Sequence, residues 1–152
     1  MRKSFCSSFL VTLAVCCLLH GSVESALQCL TVRGRAKCGL GETPTESSPI
    51  FIKLVDRDTA RVDDDMDETY AGRYSGAFQL WGCATDPLGS NIDPELRIYH
   101  KCKGRDRMVT IVIPEAAIGK EYNITDVINL QGNFQKDVEK TFPVPKCTSR
   151  IA

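Results

Sequence analysis

The sequence predicts an all-β fold, an antiparallel β-sandwich of about seven to eight strands with Ig-like two-sheet architecture. Three observations carry this. Apolar residues recur with period two far more often than with period 3.6. The alternating stretches are short and evenly spaced, and Gly-, Pro- and Ser-containing connections separate them. Composition agrees, because 43% hydrophobic and 25% charged residues are ordinary for a globular domain and exclude a disordered, collagenous or coiled-coil chain. At 152 residues one domain suffices, since a single core of this size hides roughly two thirds of the surface the unfolded chain exposes. Nineteen Lys+Arg against nineteen Asp+Glu leave no global basic field, so nucleic acid is not an expected partner.

The first strand is read at Leu30 to Lys37, where Leu30, Val32, Gly34 and Ala36 alternate with Thr31, Arg33, Arg35 and Lys37, one face buried and one basic face in water. Gly39 to Pro49 is a loop. Ile50 to Val55 is the second strand, with Ile50, Ile52 and Leu54 on one face. Glu68 to Arg73 and Ala77 to Trp81 flank Tyr74-Ser75-Gly76, whose glycine tolerates positive φ, and together they read as a hairpin. Leu96 to Lys101 and Met108 to Ile113 are further strands, the latter ended by Pro114. Glu115 to Lys120 has room for one helical turn, and Thr125 to Leu130 with Phe134 resumes the extended pattern.

Residues 1–25 read as a secretory signal peptide. Arg2 and Lys3 form the basic end, Phe9 to Leu19 the apolar stretch, and Val23 and Ser25 the small residues before cleavage at Ala26. That apolar run is shorter than the roughly 18 residues a bilayer span needs, so no transmembrane segment is expected. The expected layout is a domain over 26–142 and a flexible C-terminal tail over 143–152, in a secreted, extracellular protein. Losing Arg2, Lys3 and Glu24 moves the formal charge from zero to −1. Asn123-Ile124-Thr125 is a glycosylation sequon and marks Asn123 as an exposed glycan site.

Cleavage would also leave five cysteines, Cys29, Cys38, Cys83, Cys102 and Cys147, an odd number that suggests two bridges and one remaining thiol. If the first strand pairs antiparallel with the Ala77 to Trp81 strand, Cys29 and Cys83 lie at the same pole, close enough to link, and Cys147 is odd. A Cys29 to Cys147 bridge, leaving Cys83 free, is the competing arrangement.

Several strings in order carry a family resemblance. They are Thr31-Val32-Arg33-Gly34-Arg35-Ala36-Lys37-Cys38-Gly39, then Lys53-Leu54-Val55-Asp56, then Asp63-Asp64-Asp65-Met66-Asp67-Glu68, then Ser75-Gly76-Ala77-Phe78-Gln79-Leu80-Trp81-Gly82. The most diagnostic is Ile92-Asp93-Pro94-Glu95-Leu96-Arg97-Ile98-Tyr99-His100-Lys101-Cys102. Over about residues 29 to 132 the chain resembles the nematode transthyretin-like family of secreted proteins. The resemblance implies a transthyretin-like or prealbumin-like β-sandwich, a Cys38 to Cys102 bridge, and extracellular recognition, including proposed bridging of cells through exposed phosphatidylserine. It implies no cofactor.

Enzyme motifs are scarce. The wider transthyretin superfamily includes a 5-hydroxyisourate hydrolase that relies on more than one histidine, an arginine and a C-terminal Tyr-Arg-Gly-Ser. Here His100 is the one histidine after residue 25, and the chain ends Thr148-Ser149-Arg150-Ile151-Ala152. No catalytic residue is therefore assigned, and the protein is not expected to be an enzyme. His100 shares phase with Leu96 and Ile98, so it is expected to point inward as a hydrogen-bonded imidazole. The acidic stretch Asp56, Asp58, Asp63, Asp64, Asp65, Asp67 and Glu68 offers closely spaced hard-oxygen ligands of the kind calcium takes but lacks the spacing and glycine of an EF-hand, so it reads as a solvated loop with no metal assigned and calcium as the alternative.

The candidate binding residues are basic. Arg97, Lys101, Arg105 and Arg107, with Tyr99 in phase with Arg97, suggest a docking surface for an anionic lipid head group or an extracellular protein receptor. Arg33, Arg35 and Lys37 form a second basic edge that could converge with it. The same residues could instead take the acidic loop of a second copy, giving a homodimer. The alternative functions are a carrier of a small apolar ligand and a hydrolase of the 5-hydroxyisourate type.

Overall fold

The computed structural model describes residues 26–41, 49–58, 62–86, 90–102 and 104–143. The expected signal peptide at 1–25 and Cys147 with most of the expected tail lie outside the described residues.

Eight strands form two sheets. They are β1 (Gln28–Lys37), β2 (Phe51–Asp56), β3 (Asp64–Tyr70), β4 (Ala77–Ala84), β5 (Pro94–His100), β6 (Arg107–Val112), β7 (Glu121–Asn129) and β8 (Asp137–Glu139). One sheet has the order β4-β1-β7 and the other β3-β2-β5-β6-β8. Every pairing is antiparallel except β1 with β7, which is parallel. A 3₁₀ turn, Glu115–Ala117, follows Pro114, matching the room the sequence left for one helical turn.

The alternation in β1 has the predicted consequence. Leu30, Val32 and Ala36 are buried while Arg33 and Arg35 are exposed. Leu80 from β4, with Ile52, Leu54, Leu96, Ile98 and Val109 from the larger sheet, completes a core of fully buried aliphatic side chains. Burying each such side chain contributes about 1.5–3 kcal/mol relative to leaving it in water. β2 and β5 sit inside the five-stranded sheet, so they are buried on both faces: Phe51, Val55, Glu95 and Tyr99, on the phase away from the core, are also nearly inaccessible.

The hairpin expected around Tyr74 does not form. Glu68 to Tyr70 belongs to β3, which pairs with β2, whereas β4 pairs with β1. The turn itself is present: Gly72 N–H donates to Ala77 O at 2.7 Å, Gly76 N–H to Gly72 O at 2.8 Å, and Gly76 has φ 69°. What it joins is one sheet to the other. The acidic segment is likewise not all loop, because Asp64 to Tyr70 is an edge strand held by β2.

Two further links tie the sheets together. The Cys38–Cys102 bridge runs from the end of β1 to just past the end of β5. On the opposite flank, Trp81 N–H of β4 donates to Asp67 Oδ2 of β3 at 2.9 Å. Here Gly82 lies directly against Met66, such that a Cβ on it would sit 2.6 Å from Met66 Cβ and 2.9 Å from Met66 O. Because the obstacle includes backbone, a side chain at 82 forces the sheets apart. Gly82→Ala is expected to lose roughly 2–3 kcal/mol, as overpacking of a closed contact does, read as a lower urea midpoint. Gly41→Ala, at a position with open space around it, should leave the midpoint nearly unchanged. An unaffected Gly82→Ala would show that β3 and β4 are not closely apposed.

Candidate functional site

The outward face of the three-stranded sheet is a grid set by its register. Trp81, Thr31 and Glu121 form one cross-strand row, Gln79, Arg33 and Asn123 the next, and Ala77, Arg35 and Val127 the third. These residues are on the phase opposite the core, and all but Thr31 and Val127 are exposed. Trp81 is 59% exposed, unusual for so large a ring. The Cys29–Cys83 bridge joins directly opposed residues at the head of the grid, with Cα atoms 4.0 Å apart. β1 slips register against β7 between Arg33 and Arg35. At that slip an open groove of about 860 Å³ is lined by Arg33, Arg35, Gln79 and Asn123 and reaches Phe78 and Ile124. Gly34, on the inward phase, makes room for the Phe78 ring, since a Cβ there would lie 2.8 Å from Phe78 Cζ.

The basic residues predicted on β5 and beyond it are placed differently. Arg97 Nη2 lies 2.5 Å from Asp63 and 2.6 Å from Glu95. Burial works against the charged guanidinium, yet these two carboxylates hold its pKa above the ordinary arginine range. Asp63 is in turn held below the usual carboxylate range: partial burial acts to raise it, and the Arg97 hydrogen bond and charge outweigh that. Lys53, opposite Arg97 on β2, bridges Asp65 at 2.7 Å and Glu68 at 3.8 Å.

Lys101 pairs with Asp106 at 3.0 Å and lies over Phe142. Arg107 pairs with Asp137 at 2.6 Å, and Arg105 reaches Glu139 at 4.0 Å while remaining largely exposed. Tyr99 is not a surface group at all: it is buried between Phe51 and Phe142, and that burial raises its pKa.

Convergence of the two basic clusters is the expectation that fails. Arg33 and Arg35 face outward from one sheet and Arg97 outward from the other, so the sandwich separates them. Arg33 pairs with Glu121 at 3.2 Å with both side chains about half exposed. Arg35 and Lys37 have no acidic partner among the described residues.

His100 is fully buried at the end of β5, and Cys102 N–H donates to its Nδ1 at 3.3 Å. The acidic segment ends in a second polar feature, Asp56, also fully buried. Its Oδ1 accepts from Asp93 N–H at 2.7 Å, while Oδ2 has no hydrogen-bond partner among the described residues. Among those residues no three His, Cys, Asp or Glu side chains assemble as a cation site, and no helix is long and apolar enough to cross a membrane.

Comparison with known proteins agrees with this architecture. The profile of the Transthyretin-like family matches residues 33–114. Transthyretin-like protein 46 of Caenorhabditis elegans is 34% identical over 121 residues, covering 72% of this chain and 64% of that protein. Transthyretin-like protein 5 of the same organism is 33% identical over 125 residues, covering 76% of this chain and 83% of its own length. The chain thus spans a little under two thirds of the first relative. A 9R-lipoxygenase from Cyanothece superimposes with a TM-score of 0.43 and 14% identity over 68% of this chain and 16% of that one, a likeness too slight to carry an argument.

Asp56 generates a pH dependence with a definite sign. Burial, reinforced by the Asp86, Asp58 and Asp93 carboxylates and opposed by the Asp93 N–H, pushes it from 3.8 up to about 6. The native state therefore holds a proton that the unfolded state has already lost between about pH 4 and 6, and stability falls as pH rises through that window. The cost above it is at most about 3 kcal/mol. Asp56→Asn keeps the acceptor for Asp93 N–H and removes the charge. Urea unfolding at several pH values should show the wild type losing stability across this window, the variant losing less, and the variant the more stable at pH 7. Parallel curves would refute the buried-carboxyl assignment.

Proposed function

The chain belongs to the Transthyretin-like family, and on that premise we propose that it is a non-enzymatic extracellular binding protein that recognises an anionic ligand through the outward face of its three-stranded sheet. The observation that carries the reading is the contrast between the two sheets. Arg97, Lys101 and Arg107 already hold carboxylates, so an incoming anion has to displace them. Arg35 and Lys37 hold none among the described residues, and Arg33 shares only a half-exposed one. An exposed guanidinium recognises phosphate or carboxylate through paired N–H donors without first breaking an internal pair. Trp81, amphipathic and exposed beside the same row, suits the boundary between head group and hydrocarbon.

The same placements support binding rather than chemistry. An acid/base catalyst has to reach a substrate proton within about 3 Å, and His100 is buried without exposed surface. A carrier of apolar ligands needs a concave apolar site, whereas the groove between β1 and β7 is open and lined by two arginines. The expected two bridges and the predicted leader support an extracellular setting.

Vesicle co-sedimentation of the oxidised chain from Ala26, with and without phosphatidylserine, tests the reading. Binding is expected to need the anionic lipid, to weaken as salt rises, and to be lost in R33E/R35E but kept in R105E. Binding lost in R105E and retained in R33E/R35E would move the site to the other sheet. No dependence on phosphatidylserine would remove the lipid and leave an acidic protein receptor as the anionic ligand to be sought.

A further inference from the structure

Asn123 stands in the middle row of the outward grid, beside Arg33 and lining the groove. It lies within β7 rather than in a loop, so its side chain rises from a fixed strand and any sugar on it starts over the sheet. The groove beneath is amphipathic in the way a sugar is. Arg33, Arg35 and Gln79 offer donors for hydroxyl and acetamido oxygens, and Phe78 and Ile124 offer an apolar floor for the C–H faces of a pyranose. Its volume, about 860 Å³, lies within the roughly 300–1,000 Å³ of sites that hold a small ligand.

We propose that Asn123 carries an N-linked glycan whose core sugars are seated in this groove, over Arg33 and Arg35. The modification forms the bond from Asn123 Nδ2 to the anomeric carbon of a lipid-pyrophosphate-linked oligosaccharide. The bond from that carbon to the pyrophosphate oxygen breaks, the electron pair leaves with the lipid pyrophosphate, and one amide proton is released. Nδ2 of the unmodified residue donates to Glu121 Oε1 at 3.1 Å. The amide keeps one N–H after modification, so this contact can persist and orient the first sugar. The same Glu121 pairs with Arg33, which couples the sugar's base to the groove wall.

A consequence for binding rests on the anionic-ligand reading above: seated sugar screens the two arginines, so the glycosylated chain binds anionic surfaces more weakly than the bare one. The seat itself does not need that reading and is measured separately.

The chain is produced in a eukaryotic secretory host, and intact mass establishes occupancy of Asn123. Hydroxyl-radical footprinting of the folded protein is then compared before and after endoglycosidase trimming to a single N-acetylglucosamine, which leaves the fold undisturbed and adds no charge. Labelling of Arg33, Arg35 and Ile124 is expected to rise several-fold on trimming, with Val112, exposed on the other sheet, unchanged as control. T125A, which keeps Asn123 but destroys the sequon, should match the trimmed protein. An unoccupied Asn123, or equal labelling of the groove with and without the glycan, overturns the seat. Groove protection together with equal vesicle binding by both forms would retain the seat and reject the screening. Groove protection with no vesicle binding by either form would reject the anionic-lipid reading alone.

Discussion

The rest of the molecule depends on how the five-stranded sheet buries its two central strands. β2 and β5 lie with their inward phase in the core and their outward phase under cover, yet that outward phase carries Lys53 opposite Arg97. Two cations facing each other in a partly desolvated layer repel unless carboxylates surround them. Asp65 and Glu68 from β3 supply Lys53, and Glu95 and Asp63 supply Arg97. The flanking layer is aromatic: Phe51, Tyr70, Tyr99 and Phe142 form a chain of rings with centroids 5.0–6.2 Å apart. Charge pairing thus recruits the acidic segment into an edge strand, and ring stacking holds residue 142 against the sheet.

This constraint explains which parts of the fold were legible in the sequence. Alternation is a local property, so β1, β2, β5 and β6 were visible within a residue or two of their ends. The Cys29 and Cys83 positions came together as antiparallel pairing of β1 with β4 requires. Tyr74-Ser75-Gly76 was correctly a turn, but a turn encodes a reversal and not the sheet that receives the returning strand. That choice is made by Phe78 and Leu80 entering the core beside β1 while Met66 stays with β2. The run from Asp63 to Glu68 looked like a solvated loop because its carboxylates are indistinguishable in sequence from unpaired ones. Only the position of Lys53 and Arg97 on the neighbouring strands makes it a strand. β8 was missed for a related reason: Asp137-Val138-Glu139 has no alternation to read, and pairing with β6, with Arg107 on Asp137, is what orders it.

The candidate site was legible in kind and misread in place. A clustered Arg97, Lys101, Arg105 and Arg107 has the charge signature of an anion-binding strand, and Tyr99 in phase strengthens the impression. In the fold three of these cations are already paired, Arg97 with Glu95 and Asp63, Lys101 with Asp106 and Arg107 with Asp137, and the tyrosine is part of a buried ring stack. The arginines of β1 drew less attention as one exposed face among several. Their difference is topological: among the described residues the outward face of β1 receives one carboxylate, Glu121 of β7 on Arg33, whereas the other sheet receives several from β3 and the residue before it. Sequence spacing lists charges, but only the sheet order decides which of them are already satisfied.

The two sheets consequently differ in what their outward faces present, and the edge where β1 meets β7 shapes one of them. Each sheet contains a break in register, between Arg33 and Arg35 against β7 in one and between Leu54 and Val55 against β3 in the other. The parallel neighbour arrives after the crossing from β6 through the Glu115–Ala117 turn, and it slips between Arg33 and Arg35. The break beside Leu54 and Val55 falls where both side chains are buried, so packing has to close it, since a residual void is costly. The break between Arg33 and Arg35 instead adjoins an open groove that reaches Phe78, whose ring packs against Gly34. The far sheet is held to this one by Cys38–Cys102 and by the Trp81 to Asp67 hydrogen bond. The concavity is therefore a local release of register on an exposed face, where water, sugar or ligand can fill it.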